Sequence, residues 1–415
     1  MERRFENITI NKHIYLITSN GQGIEYGIGT YIQQIVNLLK SCKCFISIIN
    51  FSNELDGPEV KKENNIRYFN LPLPISVFKS NKEYRYYQSV ASFLSLYVNK
   101  KAENIFHLNY THLYYLAKIL KEYYPQSKII LSIHYMTWHF YLKGNINQFV
   151  QIINKNNNEL SDRTEKKIKC MFLQEIKLFK KVDRIICLTN DTKLLLLKHY
   201  EIEEEKLEII QNGIEIKNKI LLTPKERIEK RLKLHIQNDE KIILFVGRLT
   251  PSKGVEYLIR SFRRVLRVIP NSHLWIIGNG NYDLCLQNAN ELWGRITFTG
   301  RIPQNILYDL YQVADIGVVP SFGEQCSFTV IEMIQFGLPI IGTDAHGMKE
   351  IFSKNQDYMI NLIEQNNKIE ISEEQLSQII IDKLSRSTPM DNILELQEYY
   401  SIDNMKTKML KLYSI

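Results

Sequence analysis

Short apolar runs alternate with helical patterns along almost the whole chain. In the first half, the runs that predict strands are 13–19, 45–51, 66–71, 105–110, 128–135, 184–188 and 207–210. The alternation restarts after Lys241, with further predicted strands at 242–246, 273–277, 296–299, 316–319, 338–342 and 358–362. Continuous apolar strands separated by amphipathic helices are typical of parallel sheets covered on both faces. The pattern therefore predicts an α/β protein with two doubly wound, Rossmann-like sheets.

The length of the chain supports two domains. A chain of 415 residues is too long for one ordinary core. We predict a first domain over residues 1–215 and a second over 216–390, with 391–415 as a broken amphipathic helix that packs back on the first domain. The charged stretch 216–240 predicts a linker and a solvated helix, and the polar, Asn-rich stretch 136–165 predicts an insertion or mobile loop.

Composition indicates an ordinary globular protein, with 44% apolar and 24% charged residues. The first residues lack the apolar core of a signal peptide, and no run reaches the ~20 apolar residues that a spanning helix needs. The six cysteines are scattered and are expected to be reduced thiols. These features lead us to expect a cytoplasmic protein.

The formal net charge is +8, and its basic excess lies within residues 1–220. This excess is either a solvated basic face or a surface for an anionic partner such as a membrane leaflet, a phosphorylated lipid or an acidic glycan. We do not expect nucleic acid, because no recognisable binding module accompanies the charge. A Tyr-rich helix predicted over 81–100 carries Lys82, Arg85, Lys100 and Lys101, and is the segment that we expect to meet a membrane at its inner face.

Two cations follow the buried strand 241–246. Arg248 and Lys253 lie between that strand and a predicted helix over 255–269, with Gly247 and Gly254 beside them. An arginine fork, a lysine and a helix N-terminus in one loop favour a site for an anion such as a diphosphate. The alternative is that both side chains are simply solvated.

A second loop, at 320–332, follows another buried strand and leads into a helix predicted to begin near Ser327. The free N–H groups and dipole of that helix add positive potential at the same sheet edge. Glu332 lies inside the helix, and its spacing from Thr329 is also that of a capping box, which is the structural alternative.

Several common cofactor sites are not supported by the sequence. The glycines at 21, 23, 27 and 29 do not form a dinucleotide fingerprint, and no P-loop occurs. There is no Asp-x-Asp pair and no cluster with zinc spacing. We therefore expect no cofactor and no metal, and a diphosphate handled by cations and backbone amides alone.

Residues 183–350 resemble the retaining nucleotide-sugar glycosyltransferases of family 4, which have the GT-B fold of two Rossmann-like domains facing across a cleft. The resemblance is carried by Asn212-Gly213-Ile214-Glu215, Gly247-Arg248-Leu249, Lys253-Gly254, Gly278-Asn279-Gly280, Gly300-Arg301-Ile302, Glu324 with Glu332, and Gly347 with Glu350. In the first half it extends only to the loop around Gly27 and Gly29 and to the strand ends at His107 and His134.

The resemblance implies specific roles on the donor side. Arg248 and Lys253 would neutralise the leaving diphosphate, Glu332 would bind the ribose hydroxyls, and Glu324 would contact the transferred sugar. The remaining implied donor contacts are Gly29, Gly247, Gly278, Arg301, Ile302, Gln325, Cys326 and Ser327. The last three stand where the family commonly has Gly-Phe-Gly, which leaves the choice of sugar open.

On the acceptor side, the resemblance implies that His134 faces the reacting centre. His107, Trp138 and His139 are further candidates for acceptor contacts, with core packing as the alternative for the aromatic residues. The expected reaction moves a sugar, with retention and without metal, from a nucleoside-diphosphate sugar to a glycan, lipid-linked or protein acceptor. A UDP-linked hexose or N-acetylhexosamine is the expected donor. The alternatives are a phosphorylase-like or synthase-like enzyme of the same fold and a non-catalytic sugar-nucleotide-binding scaffold.

Overall fold

The computed structural model describes residues 12–19, 27–73, 82–216, 219–365, 367–386 and 390–414. The predicted glycine loop at Gly21 and Gly23 lies outside these ranges. Within them, the chain forms two α/β domains whose sheets each have helices on both faces. This confirms the predicted fold class.

The first sheet has, within the described ranges, eight strands in the order β3-β4-β2-β1-β5-β6-β7-β8, parallel except for the β3–β4 pair. The elements of this domain are β1 Lys12–Ser19, α1 Gly27–Leu39, β2 Phe45–Ser52, β3 Glu59–Glu63, β4 Ile66–Pro72, α2 Glu83–Leu94, β5 Glu103–Leu108, α3 Tyr114–Tyr123, β6 Lys128–Ile133, α4 His139–Leu142, α5 Ile146–Asn154, α6 Arg163–Lys181, β7 Arg184–Cys187, α7 Asn190–His199 and β8 Leu207–Ile209.

The second sheet is parallel throughout its six described strands, in the order β11-β10-β9-β12-β13-β14, and a separate hairpin pairs β15 with β16. The remaining elements are α8 Pro224–Lys233, β9 Lys241–Val246, α9 Val255–Val268, β10 Ser272–Ile277, α10 Tyr282–Ala289, β11 Ile296–Gly300, α11 Gln304–Val313, β12 Ile316–Val319, α12 Phe328–Gln335, β13 Ile340–Thr343, β14 Met359–Ile360, β15 Leu362–Gln365, β16 Lys368–Ile371, α13 Glu373–Arg386, α14 Ile393–Tyr399 and α15 Ile402–Tyr413.

Burial explains why the apolar runs became central strands. Ile242, Ile243 and Leu244 of β9 are fully buried, as are Leu258 and Ile259 on the inner face of α9. Burying each such side chain contributes roughly 1.5–3 kcal/mol. The carboxyl ends of β9 and β12 lie side by side, so the loops that carry Arg248 and Glu324 start from the same edge of the sheet.

The last helix, α15, belongs to the core of the first domain. Met405, Met409, Leu412 and Tyr413 are buried there together with residues of the first sheet. Two lysines of that domain donate hydrogen bonds to the free carbonyls at the C-terminus of α15. Lys12 Nζ donates to the carbonyl of Tyr413 at 2.9 Å, and Lys128 Nζ donates to that of Leu412 at 2.8 Å. Within the described ranges no helix is both long and apolar enough to cross a bilayer.

The predicted loop over residues 136–165 was wrong, because most of this stretch is helical. Asn145 caps α5 by accepting a hydrogen bond from the Gln148 backbone at 2.9 Å. Phe149 and Ile152 of α5 are buried in the first core. The apolar positions of α5 recur at helical spacing, but the surrounding asparagines concealed the pattern.

Two charged stretches form helices. The helix predicted to be solvated is α8, and most of its residues are exposed; its one buried residue is Arg231, with its guanidinium 2.6 Å from the Val313 carbonyl and 3.3 Å from Asp315. The Tyr-rich helix is α2, and its tyrosines largely serve the fold: Tyr87 is buried and Tyr84 donates to Glu122 at 3.0 Å. Membrane contact by this helix stays a prediction.

Candidate active site

Lys253 and Glu324 form an ion pair between the loop after β9 and the loop after β12. Their side chains are 19% and 11% exposed, so the pair is largely screened from water. Ser321 Oγ donates a further hydrogen bond to Glu324 Oε1 at 2.8 Å, and the Ser321 carbonyl accepts from Thr343 Oγ1 at 2.5 Å. This network fixes both the cation and the carboxylate at the carboxyl edge of the sheet.

The backbone of Glu324 packs against the backbone of His346 and Gly347. The Glu324 N–H donates to the carbonyl of His346 at 3.1 Å. Gly347 has a φ of +81°, and a Cβ there would lie 1.8 Å from the Glu324 carbonyl oxygen. Only glycine fits this approach, so the position of Glu324 depends on a residue without a side chain.

Glu332 is buried inside α12, away from the helix terminus. Its carboxylate accepts hydrogen bonds from Tyr311 OH at 2.9 Å and from Gln304 Nε2 at 3.0 Å, and burial raises its pKa. The capping-box alternative is wrong, because α12 begins at Phe328 with Ser327 at the N-cap, which places Glu332 in the second turn. Its contact with a ribose stays a prediction.

The glycines at 247 and 278 bring neighbouring loops together. Gly278 has a φ of +138°, and a Cβ there would lie 1.8 Å from the Gly247 carbonyl oxygen. The Gly278 N–H donates to the carbonyl of Gly300 at 3.0 Å, and exposed Arg301 and half-buried Ile302 follow at once. These glycines therefore shape the loops of the predicted base site, and their contacts with a donor stay predictions.

His134 follows β6 in the first domain, and its neighbours identify its tautomer. Asn109 Nδ2 donates to the carbonyls of Ile17 at 3.0 Å and His107 at 3.4 Å, so Asn109 Oδ1 is the acceptor facing His134 Nε2 at 2.9 Å. The proton of His134 must then be on Nε2, which leaves Nδ1 as an acceptor. Burial lowers the pKa of His134 to about 3, so the ring is neutral at physiological pH.

Two of the predicted acceptor residues are not in the cleft. His107 is fully buried, with Nε2 2.7 Å from Ser132 Oγ and Nδ1 2.5 Å from Tyr413 OH. Trp138 is buried against Phe149, the ring centroids 4.3 Å apart and nearly parallel. Both side chains serve the packing of the first domain, so the structure contradicts direct contacts from them to an acceptor.

A cavity of about 110 Å³ lies between the two domains. It brings together six of the predicted site residues: His134, His139, Arg248, Lys253, Glu324 and Gln325. It also includes Phe322 and Lys143, which were not among the predicted site residues. Lys143 was missed because it fell in the predicted mobile loop. Gly29 lies in the first turn of α1 and is not among the residues that line the cavity.

Of the three residues that replace the expected glycine motif, Gln325 and Cys326 lie at the contact between the domains. Gln325 Oε1 accepts a hydrogen bond from Thr192 of the first domain, and the Cys326 carbonyl accepts from Asn212 Nδ2 at 2.7 Å. Burial raises the pKa of the Cys326 thiol to about 12, so it is an inert group. Ser327 is the N-cap residue of α12. Gln325 and Cys326 therefore hold the second domain against the first.

Comparison with known families matches both halves of the chain. A model of Glycosyltransferase Family 4 matches residues 26–218, and a model of Glycosyl transferases group 1 matches residues 226–393. The whole chain therefore has the GT-B fold, and its two halves resemble glycosyltransferases of family 4 and of group 1 respectively. An uncharacterised glycosyltransferase of Methanocaldococcus jannaschii is 34% identical to this GT-B chain over 174 residues. That match spans 40% of this chain and 44% of the relative's own length.

Solved structures of the same fold cover nearly the whole GT-B chain. Sucrose-phosphate synthase from Thermosynechococcus elongatus aligns with a TM-score of 0.72 at 18% identity, over 97% of this chain and 98% of its own. Anabaena HepE, solved in complex with UDP, aligns with a TM-score of 0.69 at 13% identity, over 97% and 99% of the two chains. At these identities the likeness establishes the fold alone.

Proposed function

We propose that this GT-B chain is a retaining, metal-independent glycosyltransferase that uses a nucleoside-diphosphate sugar. The observation that carries the proposal is the cleft itself, where Arg248, Lys253 and Glu324 of the second domain face His134 of the first across one cavity. Two cations at the carboxyl edge of a parallel sheet suit a diphosphate, and an opposed domain suits an acceptor.

The charges of these groups suggest how the reaction proceeds. Breaking the bond between the anomeric carbon and the phosphate oxygen leaves both bonding electrons on the departing nucleoside diphosphate. Arg248 and Lys253 stabilise this developing negative charge without an added metal ion. The acceptor hydroxyl attacks from the same face, forms the new carbon–oxygen bond, and passes its proton to the departing phosphate oxygen. That route gives retention and requires no side-chain base.

In this proposal, His134 orients a hydroxyl of the donor sugar or of the acceptor. With a pKa of about 3 it carries one proton, on the nitrogen that faces Asn109, and it is a poor general acid at physiological pH. Its free Nδ1 accepts a hydrogen bond from a hydroxyl of the donor sugar or the acceptor. The pH profile of transfer between pH 5 and 8 should then show no step from this residue.

The donor is proposed to be a UDP-linked hexose or N-acetylhexosamine. HepE, a protein of the same fold solved with UDP, supports a uridine nucleotide as the first donor to test. The acceptor class is a glycan, a lipid-linked sugar or a protein. Contact of the basic first domain with an anionic membrane, at its inner face, belongs to the same proposal.

A donor panel tests this function. Purified protein is mixed with UDP-, GDP- and ADP-sugars, with and without chelator, and release of the nucleoside diphosphate is measured. Arg248→Ala should lower kcat/KM by about 10²–10³, the usual effect of removing one donor to a developing anion. The anomeric configuration of the product, read by NMR, tests retention.

Two results would refute the proposal or part of it. Binding of a nucleotide sugar without any hydrolysis or transfer would favour the scaffold alternative. Activity that disappears with chelator and returns with manganese would contradict metal independence.

A further inference from the structure

Lys143 lines the cavity from the side of the first domain. It follows α4 in the left-handed conformation, with φ 47° and ψ 41°, which is uncommon for a lysine. The next residue, Gly144, has a φ of +76°, and a Cβ there would lie 2.5 Å from the carbonyl oxygen of Phe322. This turn therefore rests directly on the loop after β12 in the second domain.

The ammonium of Lys143 lies beside the loops that carry the other two cations. Its Nζ is 4.9 Å from the centre of the Phe322 ring, a cation–π contact. The Phe322 N–H donates to the Ser252 carbonyl at 3.0 Å, and Ser252 immediately precedes Lys253. Among the described residues, no carboxylate lies within 4.0 Å of Lys143 Nζ. The aromatic ring holds this charge at the cleft without neutralising it.

The described residues that line the cavity carry more positive than negative charge. Among them, Lys143, Arg248 and Lys253 are the cations and Glu324 is the carboxylate, a formal sum of +2. Both lining histidines, His134 and His139, are neutral because burial lowers their pKa. A nucleoside-diphosphate sugar carries one negative charge on each of its two phosphates. Lys143 contributes one of the positive charges that the described lining residues offer to these two phosphates.

We propose that Lys143 is the third cation for the donor diphosphate and that it is supplied by the domain opposite Arg248 and Lys253. This inference rests on the proposed function and adds a residue to it. Because the three cations lie on two domains, a diphosphate bound between them favours the arrangement in which the domains are in contact. The left-handed turn is then maintained because it brings the ammonium across the cleft.

Isothermal titration with UDP, GDP, ADP and inorganic pyrophosphate tests the inference at fixed, low salt. Lys143→Met removes the charge, Lys143→Asn removes it while tolerating the left-handed turn, and Lys143→Arg restores it. The matched control is Lys167→Met. Lys167 is exposed on α6, its Nζ lies 5.0 Å from the centre of the Tyr141 ring, and it does not line the cavity.

The expected result is a Kd for the bound diphosphate that rises about tenfold in both neutral variants. Lys143→Arg should stay within about threefold of the wild type, and Lys167→Met should not change. Affinity for the nucleoside without phosphates should be equal in all variants. The salt dependence of diphosphate binding should become shallower in Lys143→Met, because one fewer cation is involved.

Distinct outcomes separate this inference from the proposed function. If diphosphate binding needs Arg248 but is unchanged in Lys143→Met and Lys143→Asn, the inference is wrong and the function stands. If the Kd is unchanged but the acceptor KM rises, Lys143 serves an anionic acceptor, which also overturns it. If no diphosphate binds the wild type, both are rejected.

Discussion

Replacing Glu324 with glutamine should tighten the binding of a nucleoside diphosphate while slowing sugar transfer. Lys253 is hydrogen-bonded to Glu324, so an incoming diphosphate must share this ammonium with a protein carboxylate. Glutamine keeps the shape of the side chain and can still accept from Ser321 Oγ. The substitution therefore removes one negative charge and leaves Lys253 available to phosphate.

The burial of the pair limits the size of the effect. Two unit charges about 4 Å apart at an effective dielectric of ~20 interact with about 4 kcal/mol, which sets the order of magnitude for a partly buried pair. Fully exposed pairs contribute at most ~1 kcal/mol, and these two side chains are only 19% and 11% exposed. An intermediate gain of about 1.5–2 kcal/mol corresponds to UDP binding roughly 10–30-fold tighter.

Calorimetric titration of UDP measures the gain, and a double-mutant cycle with Lys253→Ala assigns it. In the Lys253→Ala background, the additional Glu324→Gln change should alter the UDP affinity little, because the competed cation is gone. Glu395→Gln is the control, since Glu395 pairs with Lys354 where both side chains are more than half exposed. Weaker or unchanged UDP binding in Glu324→Gln would refute the competition between carboxylate and diphosphate.

Two further predictions concern stability. His107 has a pKa lowered to about 3 by burial, against ~6.5 when unfolded, so its contribution is fully present above pH ~6.5 and is lost as pH falls. Because of His107, the free energy of unfolding should fall by about 2 kcal/mol between pH 7 and pH 5, as measured by denaturant titration. A His107→Gln variant should lack this part of the fall. Gly347→Ala forces a Cβ against the Glu324 carbonyl, so we expect a lower Tm and transfer reduced at least tenfold. Wild-type Tm and activity in that variant would contradict the role of the close approach.

The apolar pattern predicted the fold well because the central strands are buried on both faces. Strands such as β9 and helices such as α9 carry their own periodicity, and each was found near its expected limits. The edge strand β3 was missed because all five of its residues are exposed, and four are charged. It is a strand through its pairing with β4, which no local pattern encodes.

The donor side of the site could be predicted for a related reason. Arg248 and Glu324 follow neighbouring parallel strands, and the carboxyl ends of such strands must meet. His107 and Trp138 were misplaced because both side chains point into the core of the first domain, which sequence spacing does not reveal. Lys143 was missed because its importance depends on how the first domain lies against Phe322.

The position of α15 has a consequence for how the polypeptide matures on the ribosome. Met405 and Met409 fill the interior of the first domain, and Tyr413 contacts His107 there. About 200 residues, which form the second domain, must leave the ribosome before these side chains can pack into the first domain. The second domain can therefore complete its own interior earlier, although its sequence comes later. Final consolidation of the first domain must therefore wait until α15 has left the ribosome, and a nascent chain halted near residue 400 would expose an apolar groove to chaperones.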